Sequence, residues 1–284
     1  MNYRHAFHAG NFADVMKHAV LALVIERMKG KDKPFRVIDT HAGAGLYDLA
    51  GAEAQRTEEW REGIGRLDAT RLPTDIEALL APYLAAVAAA NGGALSPLTR
   101  YPGSPLVARH LMRPGDQLVL CERHPDEHQK LAALFARDGQ TKVMDLDGWT
   151  ALKSLLPPKE RRGVVLVDPP YEQPGELERV TAGLADASRR FATGVYLLWY
   201  PIKDPKRIRS FHARLGDLGL DKVLLAEIMI RRAANPDLLN GAGLVIVNPP
   251  FQLEEASQRL LPFLAERMAA GPGAAARVER LSAD

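Results

Sequence analysis

Gly163-Val164-Val165-Leu166-Val167-Asp168-Pro169-Pro170-Tyr171 decides the fold of this 284-residue chain. Val164 to Val167 are apolar without alternation, the pattern of a central strand in a parallel sheet covered on both faces. Pro169 and Pro170 end the ladder, because neither has an N–H to donate. The strand thus brings a carboxylate, carbonyls released from sheet pairing and a flat ring to its carboxyl end. In open α/β sheets that edge is where ligands bind.

Strands and helices alternate on both sides of this stretch. Upstream, Asn11 or Asp14 can cap a helix running to about Lys29, whose buried face is Val15, Val20, Leu21, Val24 and Met28. Phe35 to Asp39 is a strand that runs into Thr40-His41-Ala42-Gly43-Ala44-Gly45, a small-residue turn of the kind that lets a backbone approach a ligand closely. Gln117 to Cys121, ending at Glu122, and Lys142 to Met144, ending in Asp145-Leu146-Asp147-Gly148, are the next strands, each followed by a helix. Downstream come strands at Gly194 to Tyr200, Lys222 to Ile230 and Gly243 to Val247, with helices at Glu176 to Phe191, Pro205 to Leu218 and Gln252 to Met268. The last two strands are joined by Arg231 to Ala242, which lacks helical periodicity, so they are expected to pair antiparallel. The tail from Gly271 to Asp284 is expected to fray.

Residues 50–99 break the alternation. Arg56 to Arg66 and Ile76 to Ala90 read as helices punctuated by Pro73 and Asn91-Gly92-Gly93. The expected organisation is a main domain of residues 1–49 and 100–284 carrying a helical insertion at 50–99. After it, Ser104 stands in a capping position with Pro105 in the first turn of the next helix.

With 46% hydrophobic and 25% charged residues, the composition is that of a globular chain. A net charge of +2 gives no global attraction to nucleic acid, so any basic footprint must be local. One cysteine, Cys121, rules out an internal disulfide and a cysteine-rich zinc site. Residues 1–10 lack an apolar signal segment, and the longest apolar run, Ala78 to Ala90, is too short to span a bilayer. A cytoplasmic protein without membrane contact is expected.

Asp168-Pro169-Pro170-Tyr171 resembles the signature of methyltransferases that act on the exocyclic amino groups of nucleobases. The adenine amine is a poor nucleophile because its lone pair is conjugated with the ring. A carboxylate and a backbone carbonyl accepting its two N–H bonds would pull the nitrogen toward tetrahedral geometry, and a stacked ring would hold the flipped base. Three acids, Glu122, Asp147 and Asp168, stand at the ends of successive strands, in an order similar to class I S-adenosylmethionine-dependent methyltransferases. That resemblance implies an α/β, Rossmann-like fold: a seven-stranded, mostly parallel sheet with an antiparallel last strand. Glu122 would then take the ribose hydroxyls of the cofactor, Asp147 its adenine amine, and Gly148 would allow close approach. A second motif, Asn248-Pro249-Pro250-Phe251, follows the seventh strand. If that strand is antiparallel, Asn248 lies at the opposite edge from the cofactor and is a decoy.

Tyr3-Arg4-His5-Ala6-Phe7-His8-Ala9-Gly10-Asn11, with Ala13-Asp14-Val15 and Lys17-His18, is similar to the bacterial adenine-N6 methyltransferases of 23S ribosomal RNA, the large-subunit methyltransferase J family. Asp39 to Gly45, Tyr101-Pro102-Gly103-Ser104-Pro105, Arg161-Arg162-Gly163 and Leu198-Trp199-Tyr200-Pro201 resemble that family too. The resemblance implies cofactor contacts from His18, His41, Ser104, Glu122, Asp147 and Gly148. It makes Asp168 catalytic, with Pro169, Pro170 and Tyr171 beside it, and puts Tyr3 on the RNA with His5 and Lys17 lining the substrate side. No metal is implied, and a monomer acting on 23S ribosomal RNA is expected.

Other readings compete at single residues. The histidines could bind a metal, although none has ligand spacing. Lys17 on its own reads as a solvated helix lysine, and Ser104 as a cap. Lys203, Lys206, Arg207 and Arg209, with Arg231 and Arg232, suit either RNA phosphates or solvent. As whole functions, the rivals are a DNA adenine-N6 or other amino-methyltransferase, and a non-catalytic RNA-binding module on the same fold.

Overall fold

The computed structural model describes residues 4–68 and 72–281. A short 3-10 turn, His5–Phe7, leads into α1 (Phe12–Met28) and β1 (Arg36–Asp39). An antiparallel ribbon of β2 (Leu46–Asp48) and β3 (Arg100–Pro102) brackets α2 (Ala52–Thr57), α3 (Glu59–Glu62), α4 (Gly65–Asp68) and α5 (Thr74–Ala90). Next come α6 (Ser104–Leu111), β4 (Gln117–Cys121), α7 (Pro125–Leu134), β5 (Thr141–Met144), α8 (Gly148–Ser154) and β6 (Gly163–Val167). The chain continues through α9 (Glu176–Arg190), β7 (Val195–Ile202), α10 (Pro205–Gly216), β8 (Val223–Met229), β9 (Gly241–Val247), α11 (Leu253–Arg267) and β10 (Ala275–Leu281).

The main sheet runs β5-β4-β1-β6-β7-β9-β8-β10. From β5 to β7 the pairing is parallel, while β9 lies antiparallel between β7 and β8. This is the class I methyltransferase topology with one added edge strand. β6 is buried along its whole length, as its unbroken apolar run requires. Val164 and Leu166 face the core shared with α1, and Val165 and Val167 face the opposite core under α8 and α9.

The expected frayed tail is wrong for residues 275–281. β10 pairs with β8 from Ala275 opposite Met229 to Leu281 opposite Val223. As an edge strand it is only half covered and carries charge, so it lacks the apolar run that marks inner strands. Ala276 and Val278 pack on one core, while Arg277 reaches Glu227 on β8.

Residues 56–66 do not form one helix. Glu58 takes a left-handed conformation between α2 and α3, and Gly63 separates α3 from α4. A Cβ on Gly63 would strike the Gly10 carbonyl and the Asn11 backbone, and Ile64 N donates to Gly10 O at 2.9 Å. The chain breaks there because it presses against the loop before α1. α5 packs on α1, α6 and α11, and its Leu80, Tyr83 and Val87 enter the same core as Val15 and Leu21. Asn11, not Asp14, caps α1, its side chain accepting from Ala13 N and Asp14 N. Among the described residues no helix is long and apolar enough to cross a membrane.

Candidate active site

A cleft of about 900 Å³ opens along the carboxyl ends of the parallel strands. His5, Lys17, His18, His41, Ser104, Glu122, Asp147, Gly148 and the stretch Asp168 to Tyr171 all line it. Tyr3 lies outside the described residues. Asn248 is excluded: its side-chain amide donates to the carbonyls of Ala192 and Gly194, before the start of β7 and at the far edge of the sheet.

One half of the cleft is built on β1, β4 and β5. Gly43, at φ +60°, turns its N–H onto Glu122 Oε2 at 2.8 Å, while Glu122 Oε1 accepts from His124 N at 2.6 Å. Each Glu122 oxygen keeps a lone pair for a ligand hydroxyl. Asp147 caps α8, accepting from Thr150 N at 2.9 Å, a structural role the sequence reading did not foresee. The Thr40 hydroxyl donates to Leu166 O at 2.9 Å, so His41 Nδ1 donates in turn to Thr40 Oγ1 at 2.8 Å. Burial pushes His41 down to about 4 and His18 down to about 3, so both rings are neutral at pH 7. His18 Nδ1 lies 2.9 Å from the Tyr101 hydroxyl, which meets the Tyr83 hydroxyl of α5 at 3.0 Å.

Ser104 does not cap α6. Gly103 holds the cap position, and the Ser104 hydroxyl donates to Asp39 Oδ2 at 2.6 Å. Asp39 is a residue that the sequence reading left without a role. Burial lifts it to about 6 against the opposing hydrogen bonds from Ser104 and His41 N. The missed signal was an acid closing the first strand, the position from which it reaches both cleft loops.

The other half centres on β6. Asp168 Oδ2 receives Lys17 Nζ at 2.5 Å, and Lys17 Nζ also donates to Asp14 Oδ1 at 3.0 Å. Lys17 is therefore buried and paired rather than solvated. Burial would lower its pKa, but the Asp14 and Asp168 carboxylates outweigh it and raise the ammonium well above its ordinary value. Asp14 Oδ2 accepts from Gly10 N at 3.0 Å and meets His5 Nε2 at 2.8 Å. Burial opposes its ionisation, yet His5 and Lys17 hold its carboxyl well below the ordinary range.

Tyr171, at φ +53°, sets its ring edge-on to Trp199 with centroids 5.5 Å apart, and its hydroxyl donates to Trp199 O. Trp199 itself lines the cleft, a role the sequence reading did not give it. Lys203 and Arg207 stand at the cleft wall, whereas Arg232 is tied to the tail through its backbone, its N–H donating to Pro272 O. Among the described residues no set of three or more His, Cys, Asp or Glu converges as metal ligands.

Residues 32–280 match the model of a family described as Ribosomal RNA large subunit methyltransferase D, RlmJ. The chain is 42% identical over 275 residues to the Ribosomal RNA large subunit methyltransferase J of Escherichia coli, covering 96% of each. It is 40% identical over 269 residues to the protein of the same name in Haemophilus influenzae, covering 94% of each. The crystal structure of protein LPL1258 from Legionella pneumophila superposes with a TM-score of 0.86 at 33% identity, over 96% of this chain and 98% of that one.

Proposed function

We propose the chemistry of the cleft from one premise: the chain belongs to the ribosomal RNA large subunit methyltransferase J family. It transfers the methyl group of S-adenosylmethionine to N6 of an adenine in 23S ribosomal RNA.

The residues present fit that cofactor. A volume of about 900 Å³ lies within the range of small-molecule sites. Glu122 and Asp147 offer acceptors suited to ribose hydroxyls and an exocyclic amine. His18 and His41, neutral through burial, add no charge that would repel a cationic ligand. When bound, S-adenosylmethionine supplies an electrophilic methyl group on a positively charged sulfur.

The protein's own part is positioning. The free oxygen of Asp168 and the Pro169 carbonyl accept the two N6 hydrogens, drawing the amine out of conjugation. Lys17 on Asp168 Oδ2 fixes the carboxylate so that Oδ1 faces the amine. Pro169 and Pro170 have no N–H to compete for either acceptor. Tyr171 and Trp199 form an aromatic wall for a flipped base. Methyl transfer moves positive charge toward N6, and the acids around it stabilise that shift without reorganising. Asp168 Oδ1 is the acceptor for the proton that N6 gives up.

The observation that carries this reading is Asp168, held by Lys17 at the same sheet edge as Glu122 and Asp147. With 23S RNA from a deletion strain as substrate, Asp168→Ala should lose methyl transfer and still bind S-adenosylmethionine calorimetrically. Robust turnover by that variant sinks the assignment. Nucleoside mass spectrometry of the deletion strain should show one N6-methyladenosine missing from 23S RNA; unchanged RNA rejects the substrate.

A further inference from the structure

Lys17 holds Asp168, and the side chain that holds Lys17 is Asp14. The two are three residues apart on α1 and so share a face. Asp14 is 2% exposed, and both its oxygens are used: Oδ1 by Lys17 Nζ at 3.0 Å, Oδ2 by His5 Nε2 at 2.8 Å and Gly10 N at 3.0 Å. A continuous hydrogen-bonded chain therefore runs from His5 through Asp14 and Lys17 to Asp168.

We infer that Asp14 is a positioning residue for methyl transfer, fixing with one buried carboxylate both the lysine behind Asp168 and the N-terminal segment that carries His5. This rests on the function proposed above. Two carboxylates share one ammonium, so Lys17 neutralises Asp168 only in part. The negative charge left on Asp168 stabilises the positive charge arriving at N6. Without the Asp14 carboxylate, Asp168 is the counter-ion left to Lys17 among the described residues. The ammonium then neutralises Asp168 more completely and can slide toward Oδ1, the oxygen the amine needs. His5 and the Gly10 amide lose this acceptor in the same step, and with it the segment before α1 loses this link to Lys17 and Asp168. Asp14 touches no reacting atom in this arrangement, so its effect is transmitted wholly through its neighbours.

The test measures steady-state methylation of 23S RNA from a deletion strain by wild type, Asp14→Asn, His5→Ala and the double variant, with S-adenosylmethionine binding measured separately. Asp14→Asn should lower kcat roughly 10- to 100-fold, the scale of a displaced catalytic group. Its affinity for S-adenosylmethionine should stay within about threefold of wild type, since Glu122 and Asp147 are untouched. The double variant should lose less in kcat/KM than the product of the two single losses, because both changes act through the one Asp14 carboxylate. Asp14→Glu, which restores the charge, should recover activity relative to Asp14→Asn.

A wild-type kcat in Asp14→Asn, fully multiplicative losses in the double variant, or a parallel loss of cofactor binding overturns the inference. Failure of both Asp14→Asn and Asp14→Glu to fold overturns it as well, since Asp14 would then serve the fold. Wild-type protein inert on this RNA would remove the proposed function, and the inference with it. Active wild type beside an unimpaired Asp14→Asn removes the inference alone.

Discussion

Gly148→Ala adds one methyl group at the first residue of α8, where the structure leaves no room for it. A Cβ there would lie 2.6 Å from Thr40 O, 2.5 Å from His41 Cε1 and 2.6 Å from His41 Nε2. Favourable carbon contacts are about 3.5–4.0 Å, so something must move. Thr40 resists, because its N–H and its hydroxyl both donate to Leu166 O, at 3.0 and 2.9 Å, anchoring the loop to β6. His41 is boxed in by the Trp149 ring, edge-on with centroids 5.7 Å apart. Overpacking of this kind costs about 1–3 kcal/mol, and the better helix propensity of Ala returns at most about 1 kcal/mol. A net cost of up to about 2 kcal/mol lowers the melting temperature by up to roughly 8 °C. The effect on binding is larger in kind, since the methyl displaces His41 and the start of α8 together, and Asp147 is the cap of that helix. S-adenosylmethionine affinity should fall more than about tenfold, equivalent to about 1.4 kcal/mol. Turnover at saturating cofactor should persist, because Lys17 and Asp168 are on other elements. Calorimetric titration and a thermal melt read both quantities. Wild-type affinity together with an unchanged melting temperature would refute the claim that the closeness of His41 and Thr40 requires glycine here.

Asn248→Ala removes two hydrogen bonds that tie the end of β9 to the residues before β7. Stability should fall by about 1–2 kcal/mol with methyl transfer unchanged; a folded but inactive variant would reinstate this motif as an amine-binding site. His18, His41 and His212 sit at about 3, about 4 and about 4, driven below the ordinary imidazole value of 6.5 by burial. The unfolded chain takes up protons below pH 6.5 that the folded chain refuses, so their contribution is complete above pH 6.5 and is lost as pH falls toward about 4. Asp39 acts in the opposite sense, since burial lifts it to about 6, and its cost grows as pH rises from about 4 to about 6. Glu227, lifted by burial, and His8, raised by its hydrogen bond to Glu59, act in the same sense as Asp39. The three large imidazole shifts outweigh them, so the urea midpoint should be lower at pH 5 than at pH 7, and His212→Gln should narrow the gap. A midpoint that rises on acidification contradicts this balance.

The readable features were those in which one residue type can do one job. An unbroken Val-Val-Leu-Val run followed by two prolines can only be a covered strand that stops, so β6 and the position of Asp168 were plain from the sequence. The strand-end acids were plain for the same reason. β10 was hidden because an edge strand needs neither continuous apolarity nor strict alternation, and Arg277 and Glu279 disguise it as a solvated tail. The connections between halves of the cleft were hidden for a deeper reason. Lys17 reads as a surface lysine because its meaning depends on Asp168, 151 positions later in the chain. Ser104 reads as a cap because its partner is Asp39, 65 positions earlier. Asp14 was legible only as a rival cap to Asn11, since its three partners come from its own helix, the loop before it and the N-terminal turn. Local pattern thus specifies which chemical groups reach the edge of the sheet. Which of them are charged, neutral or held in place is decided by contacts that only the closed fold creates. Under the proposed function, the group that readies Asp168 as an amine acceptor lies one layer behind it, on α1.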